Sequence, residues 1–344
     1  MTTPPLRVAV LGAGYFSQFH YRAWHRMEDA VMVGVCDQQA DRATATADQF
    51  GVEGRFSALE DMLETTRPDV LDIVTPPPTH LGAIEAAARR GINVICQKPF
   101  CGDLATAQKA TATAEAAGIT LLVHENFRFQ PWYGEIRRQL AAGLLGRVYQ
   151  ATFRLRPGDG QGEDAYLGRQ PYFRDMPRFV IHETGVHYVD VFRYLFGEVD
   201  GVFAQLRQIN PVISGEDAAL VLLQMSGGVT AVLDANRNAD HPASNRRRTL
   251  GEMQIEGERG TLRLTGDGQL LLRRHGDNAE TSLDYAWQDE DFGGDCVYLT
   301  QRTAVAALLG RAPAVNTARD YLVNLRIEEA IYASNTEGRR LALG

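Results

Sequence analysis

Val8-Ala9-Val10-Leu11-Gly12-Ala13-Gly14-Tyr15-Phe16-Ser17 is a short apolar run that enters a G-x-G-x-x-S turn. The polar and aromatic residues that follow, 18–26, predict a helix. In such a strand, turn and helix, Gly12 allows the tight turn and Gly14 lets a pyrophosphate approach the backbone. The N–H groups and positive end of the helix then face the phosphates. Ser17 stands where that fingerprint has its third glycine. A second apolar run, Val31-Met32-Val33-Gly34-Val35-Cys36, ends in Asp37. The offset is near the roughly 20 residues at which an acid accepts both hydroxyls of an adenosine ribose. A glycine turn in another α/β fold is the bland alternative, and the strand that ends in Asp37 argues against it.

At 344 residues the chain has room for about two domains. Its 44% apolar and 23% charged residues are the proportions of an ordinary globular protein. The net charge of −8 argues against a nucleic-acid binder and against an acidic membrane surface. Arg246-Arg247-Arg248, the one dense basic run, lies in a polar stretch and reads as a solvated loop. Cys36, Cys96, Cys101 and Cys296 form no C-x-x-C pair, so no metal site or disulfide framework is expected. The first seven residues carry no secretory apolar region, and no apolar run is long enough to span a bilayer. The expectation is a cytoplasmic protein.

The first third of the chain alternates strands and helices. Residues 69–75 (DVLDIVT) read as a short strand stopped by Pro76-Pro77-Pro78. Residues 80–90 read as a helix ended by Gly91, 92–96 as a strand, and 103–117 as an alanine-rich helix capped by Asp103. Residues 119–123 read as the next strand. This alternation predicts a parallel sheet covered on both faces. From about residue 147 the pattern becomes β-rich. Residues 202–209, 218–225 and 229–235 lead to 253–256, 261–264 and 269–272, with Ser226-Gly227-Gly228 as a hairpin signal. That half predicts an antiparallel sheet, with helices at 180–196, 297–309 and 321–333. The boundary falls at Val123-His124-Glu125-Asn126, giving domains 1–125 and 126–344, and a cleft at such a boundary is a common place for a substrate.

Three further segments carry chemistry. Gln97-Lys98-Pro99 follows a parallel strand, at the sheet end where ligands bind. Glu183-Thr184-Gly185-Val186-His187 opens the 180–196 helix, and i, i+4 spacing puts Glu183 and His187 on one helical face. Asn126-Phe127-Arg128-Phe129-Gln130-Pro131 lies at the junction. Taken singly, Lys98 reads as a solvated lysine and His187 as a structural histidine; their motifs favour catalysis. Arg128 reads equally as a tie across the junction or as a cofactor contact. His124 and Glu125 read as hydrogen-bonding residues of the junction.

With Thr75-Pro76-Pro77, His80 and the closing Glu328-Glu329-Ala330-Ile331-Tyr332 helix, these motifs resemble the Gfo/Idh/MocA family over nearly the whole chain. The resemblance implies an α/β plus α+β protein. Its N-terminal Rossmann domain is a doubly wound parallel sheet, and its C-terminal domain is built on a large open-faced antiparallel sheet. It implies hydride transfer between a sugar or polyol carbon and nicotinamide. Lys98, Glu183 and His187 match the family's Lys–Asp–His trio. His187 would take the hydroxyl proton, Lys98 would stabilise charge on the same oxygen, and Glu183 would bind a neighbouring hydroxyl or orient the imidazole. The cofactor site implied comprises Gly12, Gly14, Tyr15, Phe16, Ser17, Asp37, Thr75, Pro76, His80, Gln97, Lys98, Asn126 and Arg128. Substrate candidates are Tyr172, Arg178, His182, Asn236 and Arg237.

Two positions and one segment depart from the family pattern. Gln97 replaces its usual glutamate and Glu183 its aspartate. Residues 174–179 replace a glycine-rich segment that lines the substrate pocket in the family. Asp37 favours NAD over NADP, since a carboxylate repels a 2′-phosphate and Gln38-Gln39 supply no arginine to bind one. The expected activity is oxidation of a sugar or polyol hydroxyl, with C1 of an aldose, such as the aldopentose D-apiose, preferred over an inositol ring hydroxyl. Rival readings are a relative that retains NAD for net isomerisation, elimination or glycoside hydrolysis, and a dinucleotide- or sugar-binding regulator. A homodimer or homotetramer through the antiparallel sheet is expected.

Overall fold

The computed structural model describes residues 4–343, and the chain divides into two compact units. The first holds residues 1–126 and 297–325; the second holds 127–296 and 326–344. In the first unit β1 (Leu6–Leu11), α1 (Ser17–His25), β2 (Ala30–Cys36), α2 (Ala40–Phe50), β3 (Arg55–Phe56) and α3 (Leu59–Thr66) follow in turn. Then come β4 (Val70–Ile73), α4 (His80–Ala88), β5 (Asn93–Gln97), α5 (Leu104–Ala116) and β6 (Leu121–His124). The strands pair in parallel in the order β3-β2-β1-β4-β5-β6. The order reverses between β1 and β4, where ligands of such sheets bind at the carboxyl ends.

Every residue of β4 and β6 is buried, as strands covered on both faces require. Val8, Val10, Val35 and Ile95 pack with Tyr21 and Trp24 of α1 in one core. The Asp103 carboxylate accepts the Thr106 N–H at 2.7 Å and caps α5 as expected. Helices α2 and α3 carry little sequence signal. The buried face of α2 is only Ala43 and Ala47, and α3 is two turns long.

The second unit contains α6 (Pro131–Ala141), β7 (Val148–Leu155), a π-helical turn at Val180–Gly185 and α7 (Val186–Phe196). It continues with β8 (Val199–Arg207), β9 (Ala218–Met225), β10 (Thr230–Asn236), β11 (Gly251–Gly257), β12 (Gly260–Leu264), β13 (Leu270–Arg274) and β14 (Thr281–Leu283). After α8 (Cys296–Leu308) and α9 (Ala318–Glu337), β15 (Leu341–Ala342) completes a nine-stranded sheet. Its order is β14-β13-β12-β11-β7-β10-β9-β8-β15. Tyr188 of α7 stacks on Phe153 of β7 at 3.9 Å, so α7 covers the apolar face of this sheet.

Two expectations are corrected here. The sheet is mixed: β7 and β10 run parallel, with Ala151 opposite Ala231 and Phe153 opposite Leu233. Alternation of buried and exposed residues fixes which face is covered, not the direction of the neighbouring strand. The second domain is also not the continuous stretch 126–344, because residues 297–325 return to the first unit. Ala304 and Val305 of α8 join the core around Val8 and Tyr21, and Thr317 bridges Leu122. An apolar helix face shows in sequence, but not which sheet it meets.

Among the described residues no helix is long and apolar enough to cross a membrane, and no group of three or more His, Cys, Asp or Glu could hold a metal. The four cysteines are free and buried.

Candidate active site

In the first unit the glycine turn is built as its sequence predicts. Gly12 has φ +111°, and a Cβ there would lie 2.8 Å from the Val74 carbonyl oxygen. Only glycine fits. The Tyr21 hydroxyl donates to the Gly12 carbonyl at 3.0 Å. Gly14 differs: a Cβ there would meet no protein atom within 4 Å, and the residue is exposed. The fold leaves open space in front of that backbone, which is what a pyrophosphate needs. Ser17, buried at the third fingerprint position, donates its hydroxyl to the Gly14 carbonyl at 2.7 Å. The serine thus fixes the turn that glycine would only permit.

Asp37 leaves β2 at the same sheet end. Its carboxylate accepts the Ala13 N–H at 2.8 Å and the Gln39 N–H at 2.9 Å. Each carboxylate oxygen has two acceptor sites, so ribose hydroxyls can add to these bonds. Tyr15 is exposed, and the Phe16 ring packs on Phe19 at 5.2 Å. Thr75 and Thr79 share a hydroxyl hydrogen bond at 2.6 Å beside the exposed Pro76. The glycine turn, Asp37 and the open space at Gly14 fit an NAD cofactor.

His80 is placed differently from the expectation. It is fully buried, with Nε2 against the Thr75 carbonyl at 2.8 Å and Nδ1 accepting the Cys101 N–H at 3.3 Å. Burial pushes its imidazole down to about 4, against the opposing pull of the Thr75 carbonyl. Both ring nitrogens hold backbone, so His80 braces two loops and has no nitrogen left for a cofactor.

Gln97 belongs to a buried polar chain that the sequence reading missed. Its carbonyl accepts the Lys98 N–H at 2.7 Å, which turns its amide NH2 toward His20 Nε2 at 3.1 Å. That assigns His20 Nε2 as acceptor and Nδ1–H as donor to Asp72, 2.8 Å away. Trp24 also donates to Asp72 at 2.7 Å. The available signal was Asp72 itself, a charged residue inside an apolar strand, which must be paired when buried. Lys98 is half-buried at the end of β5, and its peptide bond to Pro99 is cis. Asn126 is buried at the last residue of this stretch of the first unit.

In the second unit His187 is 3% exposed and stacks on Phe127, with ring centroids 3.7 Å apart. Arg128 pairs with Asp190 through Nε at 2.6 Å and a second, shorter contact. Glu183 and His187 do not share one α-helix as their spacing suggested. Glu183 lies in the π-helical turn and His187 in the first turn of α7. The buried Glu216 carboxylate accepts the Phe179 and Ile181 N–H groups, both at 3.1 Å, and shapes the entry to that turn. The Glu183 carboxylate accepts from the Thr184 hydroxyl and from Arg237 Nη1 at 3.3 Å.

The substrate candidates fall into different settings. Tyr172 is 59% exposed and receives a hydrogen bond from Gln170 at 3.0 Å. Desolvation and then the charge of Glu183 hold its phenol above the usual range. Arg178 pairs with Glu329 at 2.5 Å, and His182 Nδ1 meets Glu328 at 2.6 Å. Asn236 accepts the Asn238 N–H at 2.9 Å. Arg237 is buried.

A model described as "Oxidoreductase family, NAD-binding Rossmann fold" matches residues 6–125, and one described as "GFO/IDH/MocA C-terminal domain" matches residues 133–263. The chain is 34% identical to a D-apiose dehydrogenase of Paraburkholderia graminis over 99% of its own length and 91% of the relative's. It is 30% identical to a D-apiose dehydrogenase of Rhizobium rhizogenes, covering 100% and 99% of the two chains. A crystal structure of an oxidoreductase from Agrobacterium radiobacter in complex with NAD+, L-tartaric acid and magnesium superposes with a TM-score of 0.87 at 29% identity, over 98% of each chain.

Proposed function

From the premise that this chain belongs to the Gfo/Idh/MocA family and is an NAD-dependent oxidoreductase of sugar or polyol hydroxyls, we propose that it oxidises the C1 hydroxyl of an aldose to the lactone, with D-apiose as the substrate. The observation that carries the substrate is the resemblance, over nearly the full length, to two D-apiose dehydrogenases. The open backbone at Gly14 and the Asp37 carboxylate support the choice of NAD.

The residues act as follows. Gly14 and the start of α1 hold the pyrophosphate, and Asp37 takes the ribose hydroxyls. Bound nicotinamide supplies the hydride acceptor. His187 removes the hydroxyl proton; an imidazole has an ordinary pKa of about 6.5, near working pH. Lys98 donates to the same oxygen as negative charge develops there. The stack on Phe127 fixes the plane of the His187 ring, so the base keeps one orientation. Glu183 accepts a hydrogen bond from a neighbouring hydroxyl.

The test is a panel of aldoses and cyclitols with NAD and NADP, followed by reduced-cofactor absorbance and product analysis. The expected result is the highest kcat/KM for D-apiose with NAD, with a lactone formed. A higher kcat/KM for an inositol, or for NADP, overturns the corresponding part of the reading.

A further inference from the structure

Arg237 follows β10 and is 4% exposed, and each of its three guanidinium nitrogens donates to a protein side chain. Nε and Nη2 fork onto the two oxygens of Asp159, at 3.2 and 3.0 Å. Nη1 donates to the Thr184 hydroxyl at 2.7 Å and reaches Glu183 at 3.3 Å. The Thr184 hydroxyl accepts from Arg237 and so directs its own proton to Glu183. The Phe179 ring lies 4.7 Å from the guanidinium carbon. Asp159 is itself held by the Tyr166 hydroxyl at 3.0 Å and by Arg169 at 3.2 Å.

Burial alone would pull the Arg237 guanidinium down, but the charges of Asp159, Tyr166 and Glu183 outweigh it and keep the group protonated. Burial pushes Asp159 up, and the charge and hydrogen bonds of Arg237, the charge of Arg169 and the Tyr166 hydroxyl together bring its carboxyl below the usual range. A buried guanidinium with four of its five N–H donors directed at protein side chains suits a brace better than a sugar contact. One end of the brace is the anchored Asp159; the other is the carboxylate of the reactive trio.

The same geometry gives a reason for glutamate at position 183. The Glu183–Arg237 contact is at 3.3 Å, near the outer limit of a hydrogen bond. Aspartate is shorter by one carbon–carbon bond, about 1.5 Å, and would leave the carboxylate out of reach. We propose that Asp159 and Arg237 are positioning residues, which hold the Glu183 carboxylate in one place for a hydroxyl of the sugar, and that glutamate is required at 183 because only it reaches Arg237. This rests on the assignment of Glu183 to the substrate.

The experiment is a double-mutant cycle on sugar KM, with NAD affinity measured separately by titration. D-apiose is the probe, or the best sugar of the panel if D-apiose is not turned over. Glu183→Gln and Arg237→Lys should each raise sugar KM about tenfold, the loss expected for one charged hydrogen bond, with NAD affinity unchanged. The double variant should stay within about twofold of the worse single variant, and Glu183→Asp should match Glu183→Gln rather than wild type. Losses that multiply to about a hundredfold, or a wild-type KM in Glu183→Asp, overturn the proposal. A wild-type KM and kcat in Glu183→Gln instead overturns the assignment of Glu183 itself. A raised KM confined to Arg237→Lys then marks Arg237 as a direct ligand. If Arg237→Lys does not fold, Asp159→Asn, an isosteric change nearer the surface, gives the same cycle and the same two outcomes.

Discussion

Gly12 and Gly14 stand two residues apart and are glycine for different reasons. Gly12 has a left-handed backbone and the Val74 carbonyl against it; Gly14 has neither. Gly12→Ala should therefore cost stability, by more than the roughly 1 kcal/mol of an ordinary glycine position. Gly14→Val should melt near wild type and lose NAD affinity. Thermal melts with NAD titration separate the two, and unchanged NAD affinity in folded Gly14→Val would remove this turn from the cofactor site. At the reactive end, His187→Ala should lower turnover by about 10² to 10⁴ with near-normal cofactor binding. Lys98→Met should also lose turnover, and the double variant should lose less than the product of the two, because both groups are assigned to one oxygen and one proton. Turnover above about half of wild type in His187→Ala, at saturating sugar, would make the histidine structural.

At the scale of elements, His80 links the loop after β4 to the loop after β5, the loop that carries Lys98. Its imidazole is held down to about 4, against an ordinary value of 6.5. Between those two values the unfolded chain binds the proton and the folded chain does not. Stability from this group is therefore complete above about pH 6.5 and falls as pH falls, by about 3 kcal/mol over the full window. Urea unfolding between pH 7 and 4.5 should show this decline, and His80→Gln should flatten it. A slope unchanged in His80→Gln would assign the decline to other groups. The π-helical turn at Val180–Gly185 is the element that sequence periodicity could not supply. Apolar spacing through 186, 189, 192 and 195 fits α7, but the turn before it depends on Glu216, more than thirty residues away.

For the whole molecule, the nine-stranded sheet presents an apolar patch on the face away from α7. Phe203 lies opposite Leu222, and Leu222 opposite Val232, with Leu220 exposed nearby. We take this face as the surface of the homo-oligomer expected from the sequence. Sedimentation equilibrium of the wild type should give the mass of a multimer, which Leu222→Arg should lower; a monomer mass in the wild type overturns the expected homo-oligomer, and a multimer mass unchanged by Leu222→Arg overturns this choice of face. The parallel sheet and the glycine turn at 12–17 were legible in the sequence, because each is written in neighbouring residues, whereas the roles given to Lys98, Glu183 and His187 are proposals that rest on the family resemblance. A strand needs its own apolar run, a tight turn its own glycine, and an N-cap its own aspartate three residues from its donor. What distant segments share was not legible. The parallel pairing of β7 with β10, the return of 297–325 to the first unit and the chain from Asp72 through His20 to Gln97 all join residues far apart in sequence. The grip of Asp159 and Arg237 on Glu183 is of the same kind. Local sequence fixes which residues must be buried or paired; only the tertiary structure decides with what, because many partners satisfy the same apolar face or the same buried charge.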